Sequence, residues 1–242
     1  MAEFSLLILI RHGESQWNLD QRFTGWADVD VTAEGVAQMQ DAAAALREAG
    51  LRFDVGYSSV LRRCIRSLRV LLDTLDCMWV PEVLDWRLNE RHYGALTGRA
   101  KAEAIRLYGE EIVHRWRRSY DAQPPPVDTA AALHIPLDER YAMLAPDQIP
   151  LGESLARTVE RVRAAWEESI SLALRRGQRV AVVGHGNGLR ALVKIIEEQS
   201  DEGITRLEIP NGVPIAYELD NALRPVRKRT LPVPARRRTE IL

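Results

Sequence analysis

The chain has 242 residues, 46% of them hydrophobic and 28% charged, enough apolar material for one large α/β domain or two small ones. A formal net charge of −1 excludes a global basic field for nucleic acid or an anionic membrane, so any anion must be recognised by local clusters of arginine and lysine. Cys64 and Cys77 have neither metal-ligand spacing nor a disulfide framework around them, and are expected as reduced thiols in a cytoplasmic protein.

Residues 6–10 form the first element, an apolar run too short to span a membrane or to serve as a signal sequence and therefore expected as a buried strand. It runs into Arg11-His12-Gly13-Glu14-Ser15. Thr32 is placed to cap a helix over 33–49, with Gly50 just past its end. A weaker strand over 53–57 precedes Ser58-Ser59, and Ser59 is expected to cap a helix that carries Leu61, Ile65, Leu68 and Leu72 on one stripe. Residues 85–150 break the alternation with a polar stretch from Asn89 to Gly94, a helix-like run to Arg118 and then Pro124-Pro125-Pro126. An excursion over a crevice is expected there.

Beyond Pro150-Leu151-Gly152, Leu155, Val159, Val162, Trp166 and Ile170 recur at helical spacing, with Glu153 and Ser154 as its capping residues. A second all-apolar strand over 180–183 runs into Gly184-His185-Gly186-Asn187-Gly188 and a further helix. Late strands are expected over 205–209 and 215–219, separated by Pro210-Asn211-Gly212. Residues 221–242, rich in arginine and proline, are expected as an extended or disordered tail to a single catalytic domain over 1–220. Trp17, Trp26, Trp86 and Trp116 are taken as packing residues.

Strands apolar on both faces suit a parallel sheet covered by helices, so the expected fold is a three-layer α/β/α sandwich with a mostly parallel central sheet. Ligands bind beyond the carboxyl ends of such strands. His12, His185 and Arg63 would converge there. A lone histidine after a strand is most often structural, but glycines beside both histidines allow close approach of an anion, and arginine forks match phosphate oxygens. One neutral imidazole can then act as a nucleophile while a second, protonated beside phosphate, steadies developing charge. Metal binding by the histidines with Glu14 or Glu90 is the rival, opposed by the adjacent arginines.

The five residues from Arg11 to Ser15, with the distant Gly184-His185-Gly186, resemble the histidine phosphatase superfamily. Phe23-Thr24-Gly25-Trp26, the run from Leu88 to Gly98, Trp116-Arg117-Arg118 and the run from His185 to Lys194 are similar to one branch, the 2,3-bisphosphoglycerate-dependent phosphoglycerate mutases. The resemblance covers roughly residues 4–220 in order. It implies that His12 carries the phosphoryl group, that Glu90 is the acid/base carboxylate, and that His185 stabilises the transition state with Arg11 and Arg63 in the phosphate clamp. It further implies that Ser15, Asn18, Thr24 and Gly25 belong to the phosphate and substrate pocket, that Tyr93, Lys101, Arg117 and Arg118 grip the remaining charges, and that Gly186 and Asn187 complete the rim.

The implied reaction interconverts 2-phosphoglycerate and 3-phosphoglycerate, primed by 2,3-bisphosphoglycerate and without a metal, in a homodimer or dimer-based oligomer that engages neither nucleic acid nor membrane. A phosphomonoesterase of the same superfamily is the alternative. A catalytically silent phospho-ligand scaffold would be expected to lack His12 or Glu90, and both are present. The sequence departs from the branch at Gly184 and Gly188, where alanine and serine are common, and in its arginine- and proline-rich end. An open pocket there would admit water and favour hydrolysis over transfer.

Overall fold

The computed structural model describes residues 4–128 and 138–234. The first apolar run becomes β1 (Ser5–Arg11). A single turn, α1 (Gln16–Leu19), and a long helix, α2 (Ala33–Glu48), follow it. The Thr32 side chain accepts from the Gly35 N–H as expected, and Gly50 sits at φ +65° past the helix end. Then come β2 (Val55–Ser58), α3 (Arg62–Thr74) and a three-residue strand β3 (Glu82–Leu84), for which the sequence carries no alternation signal.

Within the excursion, Gly109 at φ +86° breaks the helix-like run into α4 (Lys101–Tyr108) and α5 (Glu110–Arg118), a conformation that favours glycine. The second half contains α6 (Leu155–Ala165), α7 (Ser171–Arg175), β4 (Val180–Gly184), α8 (Gly186–Glu197), α9 (Asp201–Arg206), β5 (Pro214–Leu219) and β6 (Pro225–Thr230). α6 and α7 are joined by a π-helical turn over Trp166–Ile170 that buries both end residues, so the expected continuous helix carries one bulge.

Two late expectations are corrected. The segment 205–209 is not a strand: Ser200 accepts from the Gly203 N–H, and Asp201 and Glu202 occupy the first turn, a favourable start for α9. The tail begins inside the sheet, because 225–230 pairs with β5 as an edge strand; Glu218 faces Arg227 and Arg229, and Glu197 binds Lys228. Charged edge strands of this kind resist pairing with other chains. The tail's triple arginine, 236–238, lies outside the described residues.

The sheet order is β3-β2-β4-β1-β5-β6, with three parallel and two antiparallel pairings. Alternation divides the core in two. Leu7, Leu9, Val180, Val182 and Tyr217 face α6 and α8 on one side, while Ile8, Ile10, Ala181 and Val183 face α2 and α3 on the other. The expected three layers are therefore present. No described helix is long and apolar enough to cross a membrane.

Candidate active site

β1 and β4 are parallel neighbours in register, with Arg11 opposite Gly184, so the residues that follow each strand emerge side by side. The His12 N–H donates to the Gly184 carbonyl at 2.9 Å. The imidazoles of His12 and His185 meet with ring centroids 5.1 Å apart at 69°. The turn after β1 presses against the start of α2: a Cβ on Gly13 would lie 2.1 Å from the Gly35 oxygen, so only glycine fits.

Each histidine has a defined setting. His12 Nδ1 lies 2.7 Å from the Gly13 carbonyl, which can only accept, so Nδ1 carries the hydrogen and Nε2 presents its lone pair. Burial foremost, then Arg63, holds both imidazoles well below the usual histidine range, so both rings are neutral near pH 7.

A cavity of about 100 Å³ opens in front of His12. Arg11 and Arg63 line it with His12; Arg63 is 1% exposed and donates to the Gly25 and Ala27 carbonyls at 2.7 and 2.8 Å. Arg11 donates to the Ile209 carbonyl at 3.0 Å, and its buried Nε has no partner among the described residues. Asn18, Thr24, Glu90 and Tyr93 add polar walls. Glu90 Oε1 accepts from the Arg91 N–H at 2.8 Å and from the Asn187 N–H, at the start of α8, at 3.2 Å. Asn187 Nδ2 reaches the Tyr93 hydroxyl at 3.2 Å.

The excursion closes the cavity. Lys101, at the first position of α4, and Arg117, in α5, line it together with Arg22 and Phe23. Lys101 donates to Gln21 Oε1 at 2.8 Å; burial and then Arg117 bring its ammonium down to about 8. Burial likewise lowers Arg117. Five cations and one carboxylate, Glu90, therefore line one small space, a strongly anion-selective arrangement.

Besides His185 and Asn187, four sequence-named residues lie behind or beside the cavity. Ser15 is wholly buried and holds the Asn18 side chain at 2.9 Å. Gly25 contributes the carbonyl that holds Arg63, and a Cβ on Gly186 would sit 3.7 Å from Arg11 Cζ. Arg118 turns to Glu208 at 3.3 Å.

Two local expectations change. Ser59 does not cap α3, whose N-cap is Leu61; its hydroxyl instead lies 2.8 Å from His185 Nε2. Ser154 caps α6, but Glu153 is a strut: it accepts from the His92 N–H at 2.8 Å and forms a bidentate pair with Arg161 at 2.8 and 2.9 Å.

Sequence reasoning did not single out Arg91. Its guanidinium is 1% exposed, stacks 4.8 Å over the Tyr93 ring, and has no hydrogen-bond partner for any nitrogen among the described residues. Arg190 was missed too; it donates to Asn187 Oδ1 at 3.2 Å, and burial brings it down to about 10. A larger cavity of about 320 Å³, at the opposite end of the sheet between Phe53, Trp79, Val80 and Arg179, contains no histidine.

Known proteins share this arrangement of the chain. A putative α-ribazole-5′-P phosphatase from Escherichia coli is similar with 22% identity and a TM-score of 0.69 over 94% of this chain and 95% of its own. A mycobacterial glucosyl-3-phosphoglycerate phosphatase, solved with VO3, is similar with 20% identity and a TM-score of 0.68 over 93% and 97%. Bacillus stearothermophilus YhfR is similar with 20% identity and a TM-score of 0.67 over 89% and 91%. Identities this low establish the shared fold. The sequence itself matches the family profile over residues 7–139 and 128–223, and the chain belongs to the histidine phosphatase superfamily (branch 1).

Proposed function

We propose that this chain is a phosphoglycerate mutase that works through phosphorylated His12 and a 2,3-bisphosphoglycerate intermediate. The observation that carries the reading is the second set of cations: Lys101 and Arg117 line the same cavity as His12 and Arg63, with Arg91 buried beside them. A monoester needs one phosphate clamp. A bisphosphorylated glycerate brings two phosphates and a carboxylate, and so needs cations at both ends.

In this reading, phospho-His12 gives its phosphoryl group from Nε2 to the substrate hydroxyl, while Glu90 takes the hydroxyl proton. The bisphosphorylated intermediate turns over in the pocket. His12 Nε2 then attacks the other phosphorus, and Glu90 returns the proton to the departing oxygen. Proton transfer of this kind contributes on the order of 10²–10⁴-fold. His185, protonated beside the phosphoryl group, and Arg11 and Arg63 offset its charge. Priming by 2,3-bisphosphoglycerate supplies the first phosphoryl group, and no metal takes part.

A second reading, a phosphomonoesterase, is favoured by the names of two similar structures, both phosphatases. An enolase-coupled assay from 3-phosphoglycerate separates the two. Mutase activity stimulated by 2,3-bisphosphoglycerate, unchanged by EDTA, and lost with acid-labile labelling in His12→Ala supports the proposal. Release of inorganic phosphate without 2-phosphoglycerate gives the monoesterase, and activity lost to chelator and restored by Mn²⁺ refutes the metal-free route.

A further inference from the structure

His185 is held by a hydroxyl to which the reaction above gives no part. Ser59 follows β2 and is wholly buried, with Oγ 2.8 Å from His185 Nε2. The same oxygen accepts from the Leu61 N–H at 3.3 Å. That contact occupies one lone pair, and the hydroxyl hydrogen and the second lone pair are left for the imidazole and the Cys64 thiol. A neutral His185 that accepts the hydroxyl hydrogen at Nε2 carries its own hydrogen on Nδ1, 3.7 Å from Cys64 Sγ. When the ring gains a proton from solvent, Nε2 becomes a donor, and the hydroxyl can rotate to offer its remaining lone pair. Serine serves both states of the ring.

Cys64 also touches Nε2, with Sγ at 3.2 Å, but a thiol is a weak donor and a weak acceptor. Burial pushes that thiol up to about 12, so it is no source of thiolate charge. The other groups facing the ring are the charged Arg11 from β1, Arg63 from α3 and Arg161 from α6, and the titratable His12. Glu90, bonded to the Asn187 N–H two residues on, is the nearby carboxylate. In this mostly cationic surround a protonated ring depends on a bound phosphoryl group and on an acceptor for its new N–H.

We propose that Ser59 is the positioning residue of His185, fixing the neutral ring as its Nδ1–H tautomer and accepting from Nε2–H once the ring is protonated beside phosphate. The proposal rests on the reading that His185 stabilises transfer through His12.

The test compares the full-length native protein with Ser59→Ala, Ser59→Thr and Cys64→Ala, using p-nitrophenyl phosphate hydrolysis and 3-phosphoglycerate conversion in parallel. Ser59→Ala is expected to lower kcat about 10–100-fold while KM stays within about threefold, and to move the alkaline limb of the kcat profile to lower pH, because the protonated ring has lost its acceptor. Ser59→Thr restores the native rate to within about fivefold, and Cys64→Ala costs no more than about threefold. Native kcat and pH profile in Ser59→Ala, no rescue by threonine, or an equal loss in Cys64→Ala overturns the proposal. A ¹⁵N imidazole spectrum of the empty native protein decides the tautomer without any activity, and Nε2–H on His185 overturns it too. If the native protein hydrolyses the monoester but makes no 2-phosphoglycerate, the mutase reading fails while the Ser59 comparison on hydrolysis still decides this one.

Discussion

Replacing Glu153 by alanine tests how Glu90 is held. The Arg161 and Glu153 side chains are only 7% and 4% exposed, and their bidentate contact is the centre of a larger junction. Arg161 also donates to the Arg87, Asn89 and Glu90 carbonyls at 2.7, 3.1 and 3.3 Å, and Glu153 receives the His92 N–H. The pair therefore clamps the backbone on both sides of Glu90. Glu153→Ala strands a buried guanidinium and a buried amide, a loss of about 3–5 kcal/mol. For a chain of this size each kcal/mol moves Tm by about 2–4 °C, so thermal denaturation followed by circular dichroism should fall by about 6–20 °C. In the Glu153→Leu, Arg161→Met double variant neither charge is stranded, so its loss should be smaller than the sum of the Glu153→Leu and Arg161→Met single losses by about 1–3 kcal/mol. A single variant within about 2 °C of the native Tm, or strictly additive losses, would refute the clamp.

Two further outcomes follow from the electrostatics of the site. Because both imidazoles are held neutral while the unfolded chain protonates near pH ~6.5, their share of stability is complete above that pH and is lost below it, by up to ~1.4 kcal/mol per pH unit for each ring. Melting between pH 7.5 and 5.5 should fall less steeply in His185→Asn than in the native protein, and equal slopes would contradict this. Lys101, brought down to about 8, must regain a proton to hold an anion above that pH. Under the proposed function, KM for 3-phosphoglycerate should therefore rise by up to about tenfold per pH unit above pH ~8, and Lys101→Arg should flatten the rise. A flat native KM to pH 9.5 would count against it.

The central strands and the histidine pair were legible because continuous apolar runs identify strands buried on both faces, and the residues that follow parallel neighbours must converge. What was missed depends on partners distant in the chain. Ser59 and Glu153 look like caps because capping is a local signal, whereas their bonds go to His185 and to His92 and Arg161. Arg91 sits in a polar stretch that says nothing of burial. β3 has three residues, and β6 alternates too few apolar side chains to stand out; both owe their conformation to the strand beside them. α9, started by Ser200 and two acidic residues, takes the first two residues of the strand expected over 205–209, and the other three join no strand.

The pairing of Arg11 with Gly184 has a consequence for the life of the molecule before it is complete. Slippage by one residue would turn one imidazole to the opposite face, so the two rings can meet in a single register only. β4 is made late, and until it docks beside β1 the first histidine has neither its companion nor the carbonyl that anchors it. Under the proposed function, a nascent chain would not react with phosphate donors, and incorporation of label at His12 would mark the moment at which the sheet has closed.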